Sequence, residues 1–317
     1  MSAHKRWLVL GGAGFIGSHI VEELIDRGEH CLVVDDLSSS CAKPEASDQL
    51  ELIVDDAGSE RVLEMLGQER FAAVLHLAGS AYVPPSVDDP AMDFDANLVL
   101  PLRLLLRLRE IESPPPFVLA SSAAVYGDPR RMPITDETPS APISPYGVSK
   151  LAAERYVDVF AKLYRIPAAS LRLFSVYGPR QRKQVVFDLI GKTLADPREV
   201  EILGDGTQAR DLVYVADVAR AFIEIVKCAP LCGETYNVAT GRSVTTADLA
   251  REIAACLGEA PEFRFTGAVR PGDPQRWRGD AGRLNGIGII ADTSIEDGLP
   301  ATVEWGRSIS MAAEEVG

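Results

Sequence analysis

Apolar runs that do not alternate with polar residues dominate the first half of the chain. They are Trp7-Leu8-Val9-Leu10, Cys31-Leu32-Val33-Val34, Leu50-Glu51-Leu52-Ile53-Val54, Phe71-Ala72-Ala73-Val74-Leu75-His76-Leu77, Phe117-Val118-Leu119-Ala120 and Ala168-Ala169-Ser170-Leu171-Arg172-Leu173. Short runs without alternation predict strands covered on both faces, as in a parallel sheet. Between them, apolar residues recur at helical spacing: Ile16, Ile20, Leu24 and Ile25 after the first run, then Met92, Leu98, Val99, Leu102, Leu105 and Leu106 across residues 90–110. Ser144-Pro145 opens a further helix running to about Leu163, with Ser and Pro as its N-terminal signals. Six strand–helix units in succession predict an α/β fold with a doubly wound parallel sheet.

The pattern changes after residue 173. Loops rich in Gly, Pro and Arg alternate with short strands and helices at residues 200–203, 211–226, 234–238 and 246–257. The expectation is a sheet domain over residues 1–173 and a smaller α/β cap over 174–317 carrying the substrate site. Some segments of the second part are expected to return to the first.

The first strand runs into Gly11-Gly12-Ala13-Gly14-Phe15-Ile16-Gly17 and then a helix. Strand, glycine turn and helix is the context of a dinucleotide fingerprint. The turn is tight, the backbone must approach a pyrophosphate, and the phosphates sit on free N–H groups at the helix N-terminus. The second strand ends in Asp35, about 20 residues on, where an acid hydrogen-bonds the ribose 2′-OH of NAD and repels the 2′-phosphate of NADP. Together these make the sheet Rossmann-type. Asp36 to Ser40 is a polar loop beneath the adenosine. Asp56, past the third strand, either hydrogen-bonds an adenine amino group or sits in a solvated turn. Ala78-Gly79, closing the fourth strand, lets backbone pack on the cofactor. His76 reads as a core residue, and Asn97 as a packed helix polar or a brace for the catalytic strand.

Tyr146 and Lys150 are one turn apart on one helix face. A tyrosine has an unperturbed pKa of ~10, and a neighbouring cation with an oxidised nicotinamide favours its phenolate. The pair can take a proton from a sugar hydroxyl while hydride leaves the same carbon. Ser121-Ser122 ends an intervening strand, where the ligand crevice of an open α/β sheet lies, and a serine there can donate to the same oxygen.

Composition narrows the partners. Apolar residues are 46% of the 317, which excludes a disordered chain. Thirty-two basic against 46 acidic residues give a net charge of −14, which argues against a nucleic-acid partner. No apolar run approaches the ~20 residues of a membrane span. Residues 1–6 are too short for a signal peptide, so the chain reads as cytoplasmic. Cys31, Cys41, Cys228, Cys232 and Cys256 form no disulfide framework, and neither they nor the four histidines show metal-ligand spacing.

Fingerprint, strand-end serine and Tyr-x-x-x-Lys together resemble the extended short-chain dehydrogenase/reductase family, and within it the nucleotide-sugar epimerases of the UDP-galactose 4-epimerase type. Leu77-Ala78-Gly79, Ser121-Ser122-Ala123-Ala124-Val125-Tyr126-Gly127, Tyr177-Gly178-Pro179-Arg180-Gln181, residues 203–211 and Arg270-Pro271-Gly272-Asp273 extend the resemblance over essentially the whole chain. It implies NAD as cofactor, with Ser122, Tyr146 and Lys150 catalytic. Gly11, Gly14, Phe15, Ile16 and Gly17 would hold the pyrophosphate, Asp35, Asp36, Ser38, Asp56 and Ala57 the adenosine. Leu77, Ala78, Gly79, Asn97, Tyr146 and Lys150 would also bind the cofactor, Lys150 at the nicotinamide ribose. Ser122, Tyr146 and Ser175 would meet the sugar, while Arg210, Arg270 and Asp273 would hold its nucleotide diphosphate.

Two departures bear on substrate. Ser175 stands where the resembling epimerases usually carry Asn, and Trp277 falls near a position that influences admission of an N-acetyl group. A large residue there favours an unsubstituted hexose or a pentose. The related 4,6-dehydratases carry an acidic pair after the strand-end serine, where Ala123-Ala124 stands here. The implied activity is 4-epimerisation of a nucleotide sugar of the UDP-glucose/UDP-galactose type through a transient 4-keto sugar. A nucleotide-sugar reductase or dehydrogenase exchanging NAD(H), or a non-catalytic NAD-binding regulator, are the alternatives. The resemblance also implies a homodimer through the helices at residues 97–110 and 146–163, with Leu98, Leu102, Leu105, Val157, Phe160 and Ala161 as candidate contacts.

Overall fold

All six apolar runs form strands of one parallel sheet in the computed structural model, which describes residues 5–41, 44–81, 83–268 and 274–314, with side chains to residue 310. They are β1 (Arg6–Leu10), β2 (Cys31–Asp35), β3 (Leu50–Val54), β4 (Phe71–His76), β5 (Phe117–Ser122) and β6 (Ala168–Leu173). The order across the sheet is β3-β2-β1-β4-β5-β6 and then a seventh strand, β10 (Cys232–Val238), all parallel. The order reverses between β1 and β4, which opens a crevice beyond the strand ends.

Alternate residues of β1 face opposite layers, as the strand period requires. Trp7 and Val9 pack with Ile20, Leu24 and Phe222 beneath α1 (Phe15–Asp26) and α8 (Val215–Cys228). Leu8 and Leu10 pack with Leu66, Leu105 and Val157 beneath α2 (Glu60–Gln68), α5 (Leu100–Arg109) and α6 (Pro145–Tyr164). Each fully buried Leu or Val contributes ~1.5–3 kcal/mol, so two-sided burial accounts for runs with no polar alternation.

The chain crosses back after β6. Residues 211–226 and 234–238, read from sequence as part of the cap, largely belong to the sheet unit: α8 packs on α1, and β10 lies beside β6. A short helix, α10 (Gly282–Gly286), also packs on β10. The cap proper has β7 (Ser175–Tyr177), β9 (Ala209–Tyr214) and β11 (Ser243–Thr245) in one sheet. A parallel pair, β8 (Glu199–Ile202) and β12 (Glu262–Phe265), makes another. Its helices α7 (Gln184–Ala195), α9 (Thr246–Leu257) and α11 (Ile295–Glu314) share a core of Leu189, Ile190, Ile202, Leu249, Ile253 and Leu299.

Residues 90–110 are not one regular helix. After α3 (Val83–Asp88) come α4 (Pro90–Phe94), a π-helical turn over Asp95–Val99, and α5. The Leu100 N–H donates to Asp95 O, and Pro101, which has no N–H, sits in the first turn of the next segment. The wide turn accommodates a proline that a regular helix would exclude.

The candidate dimer contacts need correction. Leu105, Val157, Phe160 and Ala161 are buried within the chain's own core, and Leu98 and Leu102 pack against it. The outward apolar residues of α6 are instead Val148, Tyr156, Val159, Leu163 and Tyr164.

Candidate active site

A cleft of about 2120 Å³ runs from the ends of β1 and β2, past β4 and β5, to α7 and β9 of the cap. Single small-ligand pockets are ~300–1,000 Å³, so it has room for two nucleotide-sized molecules end to end. Gly11, Gly14, Phe15, Ile16, Gly17, Asp35, Asp36, Ser38, Asp56, Ala57, Leu77, Ala78 and Gly79 line one half. Ser122, Tyr146, Lys150, Ser175 and Arg210 line its other half. Asn97 does not line it: it is buried with its side-chain oxygen beneath Gly79, where an added Cβ would come within 2.8 Å of it. Arg270 and Asp273 lie outside the described residues.

The glycine loop fits a dinucleotide. A Cβ on Gly17 would meet Gly11 O at 2.1 Å, and one on Gly11, whose φ is +82°, would meet Ala78 N at 2.6 Å. The loop therefore nests against β4 only as glycine. Gly14 is the N-cap of α1 and offers no side-chain cap, which leaves first-turn amides for a pyrophosphate. The Asp35 carboxylate accepts from Ala13 N at 2.9 Å and Leu37 N at 2.8 Å, fixing both lips of the crevice. Asp36 Oδ1 accepts from Ser38 N and Oγ, and Asp56 Oδ1 from Gly58 N, so both acids also hold their own turns.

Ser144 caps α6 by accepting from Gly147 N at 3.2 Å, with Pro145 in its first turn. That start aims Tyr146 and Lys150 at the end of β5. Ser122 closes β5 and caps the 3₁₀ turn Ala123–Tyr126, accepting from Ala124 N at 3.1 Å. Tyr146 is hydrogen-bonded to Ser122, and the Lys150 ammonium lies 5.8 Å from its ring centroid while donating to Ala120 O at 3.0 Å.

Burial sets the protonation of both groups. It pushes the Tyr146 phenol up to about 12, against the pull of the Ser122 hydrogen bond and with the Asp93 charge adding to it. It pushes Lys150 down to about 8, with Asp93 and Glu154 opposing it. Among the protein's own groups the Ser122 hydrogen bond draws the phenol toward phenolate, and burial outweighs it. Positive charge brought into the cleft by an oxidised nicotinamide acts in the needed direction.

Behind the site lies a buried polar network. Glu154 accepts from Arg172 Nε at 2.9 Å and Nη2 at 2.7 Å, and from Ser121 Oγ at 2.5 Å. Arg172 Nη1 also donates to the Tyr126 hydroxyl at 2.7 Å, and that hydroxyl donates to Asn237 Oδ1 at 2.7 Å. The network ties α6 to β5, β6 and β10. In the cap, Asp211 accepts from Thr240 N, Gly241 N and Gly279 N. Its neighbour Arg210 therefore projects from the other face of β9, into the cleft, with its guanidinium 5.7 Å from the Trp277 ring. Trp277 donates to Gly127 O at 3.0 Å, joining the cap to the turn after β5.

Sequence reasoning did not find the wall formed by Gln181–Gln184 and the first turns of α7, nor the buried Asp93. A basic-polar run before an apolar helix, and Gln181 at the end of the motif over residues 177–181, were the signals for the former.

A family model for the NAD dependent epimerase/dehydratase family matches residues 7–239. The chain belongs to that family. UDP-glucose 4-epimerase of Mycolicibacterium smegmatis is 34% identical over 96% of this chain and 100% of its own length. A dTDP-glucose 4,6-dehydratase of Neisseria gonorrhoeae is 31% identical over 95% of each chain. The crystal structure of UDP-glucose 4-epimerase with UDP-glucose from Thermotoga maritima superposes with a TM-score of 0.87 at 33% identity, covering 96% of this chain and 99% of that one. The protein is thus an NAD-dependent enzyme of the epimerase/dehydratase family. No helix among the described residues is long and apolar enough to cross a membrane.

Proposed function

We propose that this chain is a nucleotide-sugar 4-epimerase of the UDP-glucose/UDP-galactose type. The observation that carries epimerisation over dehydration is the turn after Ser122. A 4,6-dehydratase must move a proton from C5 and release the 6-hydroxyl, which needs an acid/base pair. Here Ala123 and Ala124 occupy that turn, and Ala124 lines the cleft.

The residues have separable roles. The Tyr146 oxygen takes the proton of the sugar 4-hydroxyl, Ser122 holds that oxygen, and Lys150 holds the nicotinamide ribose. Bound NAD⁺ supplies the acceptor and then the donor of the C4 hydride. The resulting 4-keto sugar turns over in the cap half, and Tyr146 returns its proton to the new alcohol. Arg210 pairs with the nucleotide diphosphate, since a guanidinium forks phosphate bidentately. Trp277 narrows the sugar pocket toward unsubstituted hexose or pentose. Incubation with UDP-glucose, UDP-galactose, their N-acetyl forms and UDP-pentoses, followed by NMR, tests this. Interconversion of the unsubstituted pair without net NADH supports it. Net NADH turnover would move the reading to a dehydrogenase.

NAD is expected to bind more tightly than NADP, because an acid at the end of β2, here Asp35 lining the cleft, repels a 2′-phosphate. Titration of both cofactors checks this, and Asp35→Asn should narrow the gap. Tighter NADP binding would overturn the role of Asp35.

The same reading includes a homodimer through α6 and α5, now by Val148, Tyr156, Val159 and Leu163. Val159→Glu is expected to give monomers in analytical ultracentrifugation at micromolar concentration. A monomeric parent protein would remove the dimer from the account.

A further inference from the structure

Lys150 is buried and makes no ion pair within 4 Å among the described residues, although the proposed chemistry needs its charge. Charged and titratable groups approach it from three sides. On its own helix are Tyr146 and Glu154. Glu154 is committed to Arg172 on β6, which holds it through two short hydrogen bonds. From β4 comes His76, which burial and the Lys150 charge hold far below the usual histidine range, at about 3, so it stays neutral. From α4, which packs on α6, comes Asp93, fully buried.

Asp93 is the carboxyl of this group with an uncommitted oxygen. Its Oδ1 accepts from Asn97 Nδ2 at 2.8 Å, one turn on. Its Oδ2 is buried with no hydrogen-bond partner among the described residues, as is Asn97 Oδ1. Nearby Asp88, Asp89 and Asp95 are exposed to solvent and are not alternatives. A buried carboxylate with an idle oxygen is costly unless a charge compensates it. The π-helical turn holds Asn97, and thereby Asp93, at this depth.

We propose that Asp93 is a positioning residue whose buried carboxylate, on the helix packed against α6, is the counter-charge of Lys150. Its own link to the reaction rests on the epimerase reading, but its effect on Lys150 does not. Because Asp93 acts on Tyr146 in the same sense, its removal makes both groups lose their protons at lower pH.

The test is Asp93→Asn, which keeps an acceptor for Asn97 and removes the charge. In protein carrying ¹³C at lysine Cε, the Lys150 signal should titrate about one pH unit below its wild-type midpoint, the low end of what loss of an opposite charge produces. Both limbs of the pH–rate profile should move to lower pH, and Asp93→Glu should restore them. An unmoved Lys150 midpoint in a folded Asp93→Asn protein overturns the proposal. A merely structural role would lower the height of the profile and leave its limbs in place. If Asp93→Asn does not fold, the carboxyl ¹³C shift of Asp93 in the wild-type protein decides: ionised at pH 7 supports the proposal, protonated overturns it. Lys150 titration needs no turnover, so a protein that epimerises nothing on the panel leaves this test intact.

Discussion

Tyr146→Phe is expected to abolish turnover while NAD stays bound. The phenol oxygen is the proposed base, and the ring it sits on is buried between α6 and the end of β5, where phenylalanine keeps the packing. Loss of a general base costs ~10²–10⁴-fold. Ser122→Ala should be milder, since it removes one hydrogen bond to the phenol and one to Ala124 N and leaves the base in place. Lys150→Ala should damage rate and cofactor affinity together. Epimer interconversion, with bound NAD quantified in parallel, separates these outcomes. A near-wild-type rate in Tyr146→Phe would mean that Ser122 or an acid of the cap is the base.

A second large effect is expected away from the chemistry. Glu154→Gln would leave the Arg172 guanidinium buried with a neutral partner. Burial opposes the arginine charge, and Glu154 more than offsets it. Breaking a buried pair by removing one partner costs about 3–5 kcal/mol, whereas replacing both by apolar residues is often neutral. Glu154→Gln should therefore lower the denaturation midpoint sharply, and Glu154→Leu with Arg172→Met should recover most of it. Equal midpoints for Glu154→Gln and the parent protein would show that the pair does not hold the sheet to α6.

Both Glu154 and Arg172 were plain in the sequence as polar residues within apolar patterns, yet nothing there said that they meet. The same limit shaped the rest of the reading. Strands β1 to β6 were legible because burial on two faces writes continuous apolar runs. β10 was not assigned to that sheet, because Gly233, Glu234, Thr235 and Asn237 dilute its pattern. It is an edge strand, and its polar Asn237 is satisfied by Tyr126, a contact 111 residues distant in the chain. Periodicity located α5 and α6 but could not say which apolar side faced inward, so Val157 and Phe160 were placed outside. Gly11, Gly17 and Asp35 were legible because local geometry demands them. Tyr146, Lys150 and Ser122 were legible as a set through their context. Arg210 was legible as a candidate site residue only by resemblance. Asp93 carried no signal at all, since its meaning depends on a lysine from another helix.

The most direct measurement follows UDP-glucose carrying deuterium at C4 through the reaction by NMR. Oxidation and reduction at the same carbon within one binding event predict UDP-galactose with the deuterium retained at C4 and no NADH in solution. Deuterium lost to solvent, or carried off in free NADH, would contradict 4-epimerisation by this site.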